Sequence, residues 1–122
     1  MTLDYENFSS QILETDPKIR SAVVYDSWAK RVSGGLREGL QNILSDHAEK
    51  ELVNLSIINW QARKNMSESL GKTIYTLAEH DNVKRFSFYL GEDHLLLVST
   101  EKDADTNQVV DEVIKLYYKN QN

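Results

Sequence analysis

The chain has 122 residues, 40% of them hydrophobic and 27% charged, with a formal net charge of −5 and no cysteine. That length fits one domain (1–122) with a true hydrophobic core. The acidic balance argues against non-specific nucleic-acid binding, the missing cysteines exclude disulfides and thiolate chemistry, and no run approaches the roughly 18 apolar residues of a membrane span.

The first ten residues are acidic and lack a basic start followed by an apolar core, so no secretory signal is expected and the expected compartment is the cytoplasm. Leu3 to Asp16 reads as a short helix, because Tyr5, Phe8 and Ile12 recur at spacings of three and four. Pro17 ends it, since the residue before proline is pushed out of the helical region.

Ile19 to Asp26 reads as the first strand. Strict alternation sends Ile19, Ser21, Val23 and Tyr25 to one face and Ala22 and Val24 to the other. Both faces are apolar in the middle, as in a strand covered on both sides. Asp26-Ser27 opens a turn, and Arg31 to Leu36 is a weaker second strand, completing a hairpin. Gly34-Gly35 thins that strand. Glycine there marks either a bulge or close backbone approach, or plain punctuation before the next helix, which is the favoured reading. Arg37 to Leu44 is either a loop or a helical turn holding Leu40, Ile43 and Leu44 on the core.

Ser45 or Asp46 caps a long helix reaching about Met66, with Glu49 spaced for a capping box from Asp46. At about 1.5 Å per residue it spans about 33 Å, enough to cross a sheet of five strands. Ala48, Leu52, Leu55, Ile58, Ala62 and Met66 form one broad apolar stripe, read as the sheet-facing one. Val53, Ile57 and Trp60 form a second, about 150° away at 100° per residue. The second stripe either lies under the first helix, the last helix or the loop before the long helix, or forms a contact with a second subunit, and the dimer contact is the favoured reading.

Lys72 to His80 reads as the third strand and Val83 to Leu90 as the fourth, joined by Asp81-Asn82, residues that tolerate the positive φ of a two-residue hairpin turn. Gly91-Glu92-Asp93 turns into a fifth strand, His94 to Ser99, whose Leu95-Leu96-Leu97-Val98 run implies burial on both faces. Asp105, with Gln108 three residues on, caps a last helix to about Tyr118, with Val109, Val113, Leu116 and Tyr117 inward.

No cluster reads as catalytic. His47, His80 and His94 are scattered, without the i,i+4 spacing common at metal sites. Neither phosphate-loop glycine pattern occurs; Gly34-Gly35-Leu36-Arg37-Glu38-Gly39 is too loose to make a nucleotide site. Glu101, Asp103 and Asp105 lack the calcium-loop pattern and fit helix capping better. No metal, cofactor or catalytic residue is expected. Trp28 sits at a hairpin tip, either folded back onto the core or anchoring a partner.

The order of elements, αββαβββα, together with certain stretches, resembles the roadblock/dynein light-chain family, including its small archaeal members. The stretches are Asp16-Pro17-Lys18-Ile19-Arg20-Ser21-Ala22-Val23-Val24, the Gly34-to-Gly39 segment, Leu70-Gly71-Lys72, and Leu95 to Asp103. The resemblance covers nearly the whole chain. It implies an α+β, three-layer α/β/α sandwich of roadblock/profilin-like type. A five-stranded antiparallel sheet would carry the long central helix on one face and the terminal helices on the other.

The resemblance also implies a non-enzymatic module that dimerises with itself or a paralogous roadblock protein, by pairing long helices and extending the sheet through the second strand. Val53, Ile57 and Trp60 would then lie at the seam with Arg31 and Ser33, while Trp28, Arg37, Arg63 and Lys64 would face a partner. That partner is commonly a small Ras-like GTPase, which the dimer scaffolds or regulates. The alternative is a small-molecule-sensing domain with a profilin- or PAS-like sheet, in which Phe86, Phe88, Trp60 and Tyr75 line a cavity.

Overall fold

A computed structural model describes residues 3–121. Its elements are α1 (Tyr5–Thr15), β1 (Ile19–Asp26), β2 (Arg31–Leu36), α2 (Asp46–Lys64), α3 (Ser67–Leu70), β3 (Tyr75–Glu79), β4 (Val83–Leu90), β5 (His94–Glu101) and α4 (Thr106–Asn120). The single-turn α3 and the later start of β3 depart from the sequence expectation. Gly71, at φ +82°, ends α3 in a backbone conformation that glycine adopts without strain.

The strands form one antiparallel sheet in the order β2-β1-β5-β4-β3. β5, with its Leu95-to-Val98 run, lies at the centre and is buried along nearly its whole length. Period-two alternation then divides the core. Ala22, Val24, Phe86, Phe88, Leu96 and Val98 pack beneath α1 and α4 through Phe8, Ile12, Val109 and Val113. Val23, Tyr25, Leu95 and Leu97 face the other way, toward α2. The long helix therefore covers one face and the terminal helices the other, the three-layer sandwich that the chain order implies.

Ile19 breaks the expected alternation. It belongs with the α1/α4 core, because the β1–β5 register shifts between Ile19 and Ser21. Asp81 and Asn82 form the β3–β4 turn, closed by the His80 N–H donating to the Val83 carbonyl at 2.9 Å, and neither takes a positive φ. The segment between β2 and α2 is irregular and leaves Ile43 exposed.

Ser45 is the N-cap of α2, its hydroxyl accepting from the Ala48 N–H at 3.1 Å. Of the two expected caps it is Ser45 that serves, so Asp46 and Glu49 form no capping box and Glu49 turns to Arg85 on β4 at 2.7 Å. Asp105 caps α4 by accepting from the Gln108 N–H at 3.1 Å. Arg20 and Lys18 take up the neighbouring acids Glu101 and Asp103, so this acidic stretch serves pairing and capping. Among the described residues, no helix is long and apolar enough to cross a membrane.

Candidate interaction surface

The long helix meets the sheet through Val53, Ile57 and Trp60, all buried, with the Trp60 ring stacked on Tyr89 at 5.1 Å between centroids. This reverses the expected orientation. The stripe assigned to a dimer seam is core, and the stripe assigned to the sheet faces outward. Leu55 is 51% exposed, Ile58 61% and Met66 49%. The reason lies in the floor beneath. Val23, Leu95 and Leu97 offer a flat aliphatic bed, and Tyr89 offers an aromatic face that only Trp60 can match by stacking.

The helix covers β1, β5 and the near side of β4, and leaves the same face of β3 open. Leu52, Leu55 and Asn59 form one wall of the resulting groove, and Thr76, Ala78 and Ser87 its floor. Beyond it runs the outer edge of β3, paired with β4 in unbroken register over five residues. Exposed Leu70, Ile74 and Tyr75 continue the apolar character along that edge.

The opposite edge differs. Gly34 in β2 has φ +87°, and a Cβ there would collide with the carbonyl oxygen of Ala22. The two glycines are therefore not equivalent: Gly34 is a point of close strand approach, not punctuation, while a Cβ at Gly35 would meet open space. Ser33 is buried, donating to the Tyr5 carbonyl at 2.9 Å and hydrogen-bonded to Ser9 at 3.2 Å. Its side chain ties β2 to α1 and is not presented to a second subunit. Arg31 is exposed. Burial, reinforced by the nearby Glu49 carboxylate, pushes the Tyr25 phenol above its ordinary pKa.

The proposed partner-facing residues separate in the same way. Trp28 is 83% exposed at the β1–β2 tip, so it does not fold back onto the core. Asp26 fixes that tip by accepting from the Trp28 and Lys30 N–H groups at 2.9 and 3.0 Å, and Ala29 takes φ 65°. Arg37 is not available to a partner. Its guanidinium donates to the carbonyls of Ile19 at 2.8 Å, Asp16 at 2.9 Å and Leu13, closing the C-terminal end of α1. Lys64 is engaged within the chain, its ammonium 4.2 Å from the Trp60 ring centroid and donating to the Glu92 carbonyl at 3.1 Å. Arg63 is half-buried and makes no side-chain hydrogen bond or ion pair among the described residues.

His94 stacks on Tyr5 with ring centroids 4.5 Å apart and lies 2.7 Å from Asp93, while His47 pairs with Glu51 at 2.6 Å. Among the described residues no three His, Asp or Glu side chains converge to hold a metal ion.

No protein-family model and no curated protein matches the sequence. Solved structures do match in shape. A roadblock/LC7 domain from Streptomyces avermitilis is 17% identical over 98% of this chain and 94% of its own, with a TM-score of 0.69. MglB from Myxococcus xanthus is 14% identical over 95% and 93%, with a TM-score of 0.72. Profilin II from Acanthamoeba castellanii is 10% identical over 95% of each chain, with a TM-score of 0.58. Similarity that spans nearly the full length of each chain, on the sheet order and helix placement described above, gives this chain the roadblock/LC7 fold.

Proposed function

We propose that this chain is a non-catalytic interaction module that pairs with a second roadblock-fold subunit, in the first place a copy of itself. As a pair it scaffolds or regulates a small Ras-like GTPase. The observation that carries this reading is the outward apolar stripe of Leu55, Ile58 and Met66, on a helix whose opposite face is already committed to the sheet. Covering such side chains is worth about 25 cal/mol per Å² of apolar surface, several kcal/mol per subunit before association costs.

The seam lies along α2 and the β3 edge, not along β2. β3 offers a regular unpaired edge beside an open groove, whereas the left-handed backbone at Gly34 interrupts the β2 edge. A two-fold axis through this region brings each α2 into the groove beside the other, and each outward stripe meets its own copy. The GTPase part rests on the family resemblance. On this reading the effect on a GTPase is indirect, through repositioning of the GTPase's own residues.

The test of that part is capture from native lysate on the immobilised chain, in GDP and in a non-hydrolysable GTP analogue, with retained proteins identified by mass spectrometry. The expected result is a Ras-like GTPase retained in one nucleotide state and released in the other. Retention of none in either state, with the chain intact as a dimer, removes the GTPase from the account.

A further inference from the structure

A cleft of about 450 Å3 opens where the C-terminal ends of α2 and α4 flank the start of β3. Its apolar lining comes from both layers: Trp60 and Tyr89 from the α2 side, Phe88, Val113 and Tyr117 from the α4 side. The two layers meet here because β3 begins only at Tyr75, opposite Phe88, so beyond Phe88 the outer side of β4 has no strand paired to it, while its inner side stays paired with β5.

The rim has a different character. Arg63, Lys64 and Lys72 stand around the mouth with one acid, Glu92. In a chain of net charge −5 that is a local excess of positive charge. Glu92 is already engaged: Lys72 pairs with its carboxylate at 2.6 Å, and Lys64 donates to its backbone carbonyl. The Lys72 pairing holds the Glu92 carboxyl below its usual pKa, so it stays ionised and does not serve as a donor. Arg63 remains without a side-chain partner among the described residues, and a guanidinium presents a planar fork suited to a carboxylate.

We propose that this cleft binds a small organic anion with a flat apolar body, its carboxylate paired with Arg63 and its ring among the aromatic walls. The volume falls within the range of small-molecule sites, and an apolar lining with a few convergent polar groups is their common composition. Lys64 already lies over the Trp60 ring, which keeps a second positive charge next to the aromatic wall. Neutral aromatics fill the same walls but leave Arg63 unpaired. The anionic head is therefore the discriminating feature.

The test uses 2-naphthoate and its neutral counterpart 2-naphthamide, titrated into the full chain while the two tryptophan indole N–H signals are followed by NMR. Trp60 lines the cleft and Trp28 stands at the hairpin tip, so one molecule carries both reporter and control. The expected result is a saturable shift of the Trp60 signal alone. Naphthoate should bind about tenfold tighter than naphthamide, the scale of one charge-assisted hydrogen-bonded pair. Arg63→Gln should abolish that preference while naphthamide still binds, which shows the walls are intact. Equal affinity for the two probes in the wild-type chain, or no selective shift of Trp60, overturns the proposal without reference to any variant.

Discussion

Ile57 and Ile58 are adjacent on α2 and lie in opposite environments: Ile57 is 8% exposed against Val23, Leu95 and Leu97, and Ile58 is 61% exposed to solvent. A 100° step would normally leave one of them at a polar boundary. Here both are apolar, because the helix has two surfaces to serve. Monomer stability should therefore respond to one and not the other. With the chain dilute enough to be monomeric, Ile57→Ala should lower the unfolding free energy by about 2–4 kcal/mol. Ile58→Ala should stay within about 0.5 kcal/mol of wild type. Urea denaturation followed by circular dichroism measures both.

Arg37 closes the end of α1 by donating to three backbone carbonyls, those of Leu13, Asp16 and Ile19. Arg37→Gln keeps some hydrogen-bonding capacity and loses the fork. The expected cost is about 2–3 kcal/mol, the scale of charged hydrogen bonds to partly buried acceptors. Hydrogen exchange should show the loss in the last turn of α1 and the start of β1, with β4 and β5 unchanged.

Two backbone positions predict substitutions of opposite sign. Gly34→Ala places a Cβ against the Ala22 carbonyl at a left-handed φ and should cost more than about 2 kcal/mol. Ala29 sits at φ 65° in the β1–β2 loop, the position glycine favours in such hairpins. Ala29→Gly should raise stability by about 0.5–1 kcal/mol, since relief of the strain exceeds the added entropy of the unfolded chain. Thermal melts distinguish the two at once.

The pH dependence follows from exposed pairs. Lys18, Lys72 and Lys102 hold the carboxyls of Asp103, Glu92 and Glu79 below their ordinary pKa values. A carboxyl lowered in the folded state contributes stability that is complete above its unfolded pKa and is lost as pH falls through the folded one. Glu92 in turn holds Lys72 above its ordinary value, so that part is complete below the unfolded lysine pKa and lost as pH rises through the folded one. Melting temperature should be flat between about pH 5 and 9 and fall below about pH 4. High salt should shrink these contributions, because the pairs face solvent.

Local periodicity made most of the fold legible. The β1, β2 and β4 boundaries, the start and two-sided burial of β5 and the inward faces of α1 and α4 all follow from residues close in sequence, whereas β5 runs two residues past the expected Ser99, to Glu101. What escaped depends on distant partners. Which stripe of α2 faces the sheet is decided by Tyr89 stacking on Trp60 and by the bed of Leu95 and Leu97, more than 25 residues away in sequence. The same holds for Arg37, whose acceptors lie on α1 and the start of β1, and for Gly34, whose need for glycine is set by the carbonyl of Ala22. Ser33 on a thin strand gave no sign that α1 would bury it. The cleft at the α2 and α4 ends required the late start of β3, which no turn residue between Lys72 and Ile74 signals.

The central claim is that α2 pairs through its outward face. Light scattering across a concentration series, on the wild-type chain and on Ile58→Glu, tests it most directly. The account predicts a wild-type dimer, and a variant that is a folded monomer with an unchanged circular dichroism spectrum. A wild-type chain that stays monomeric at every concentration, or an Ile58→Glu chain that remains a dimer, contradicts it.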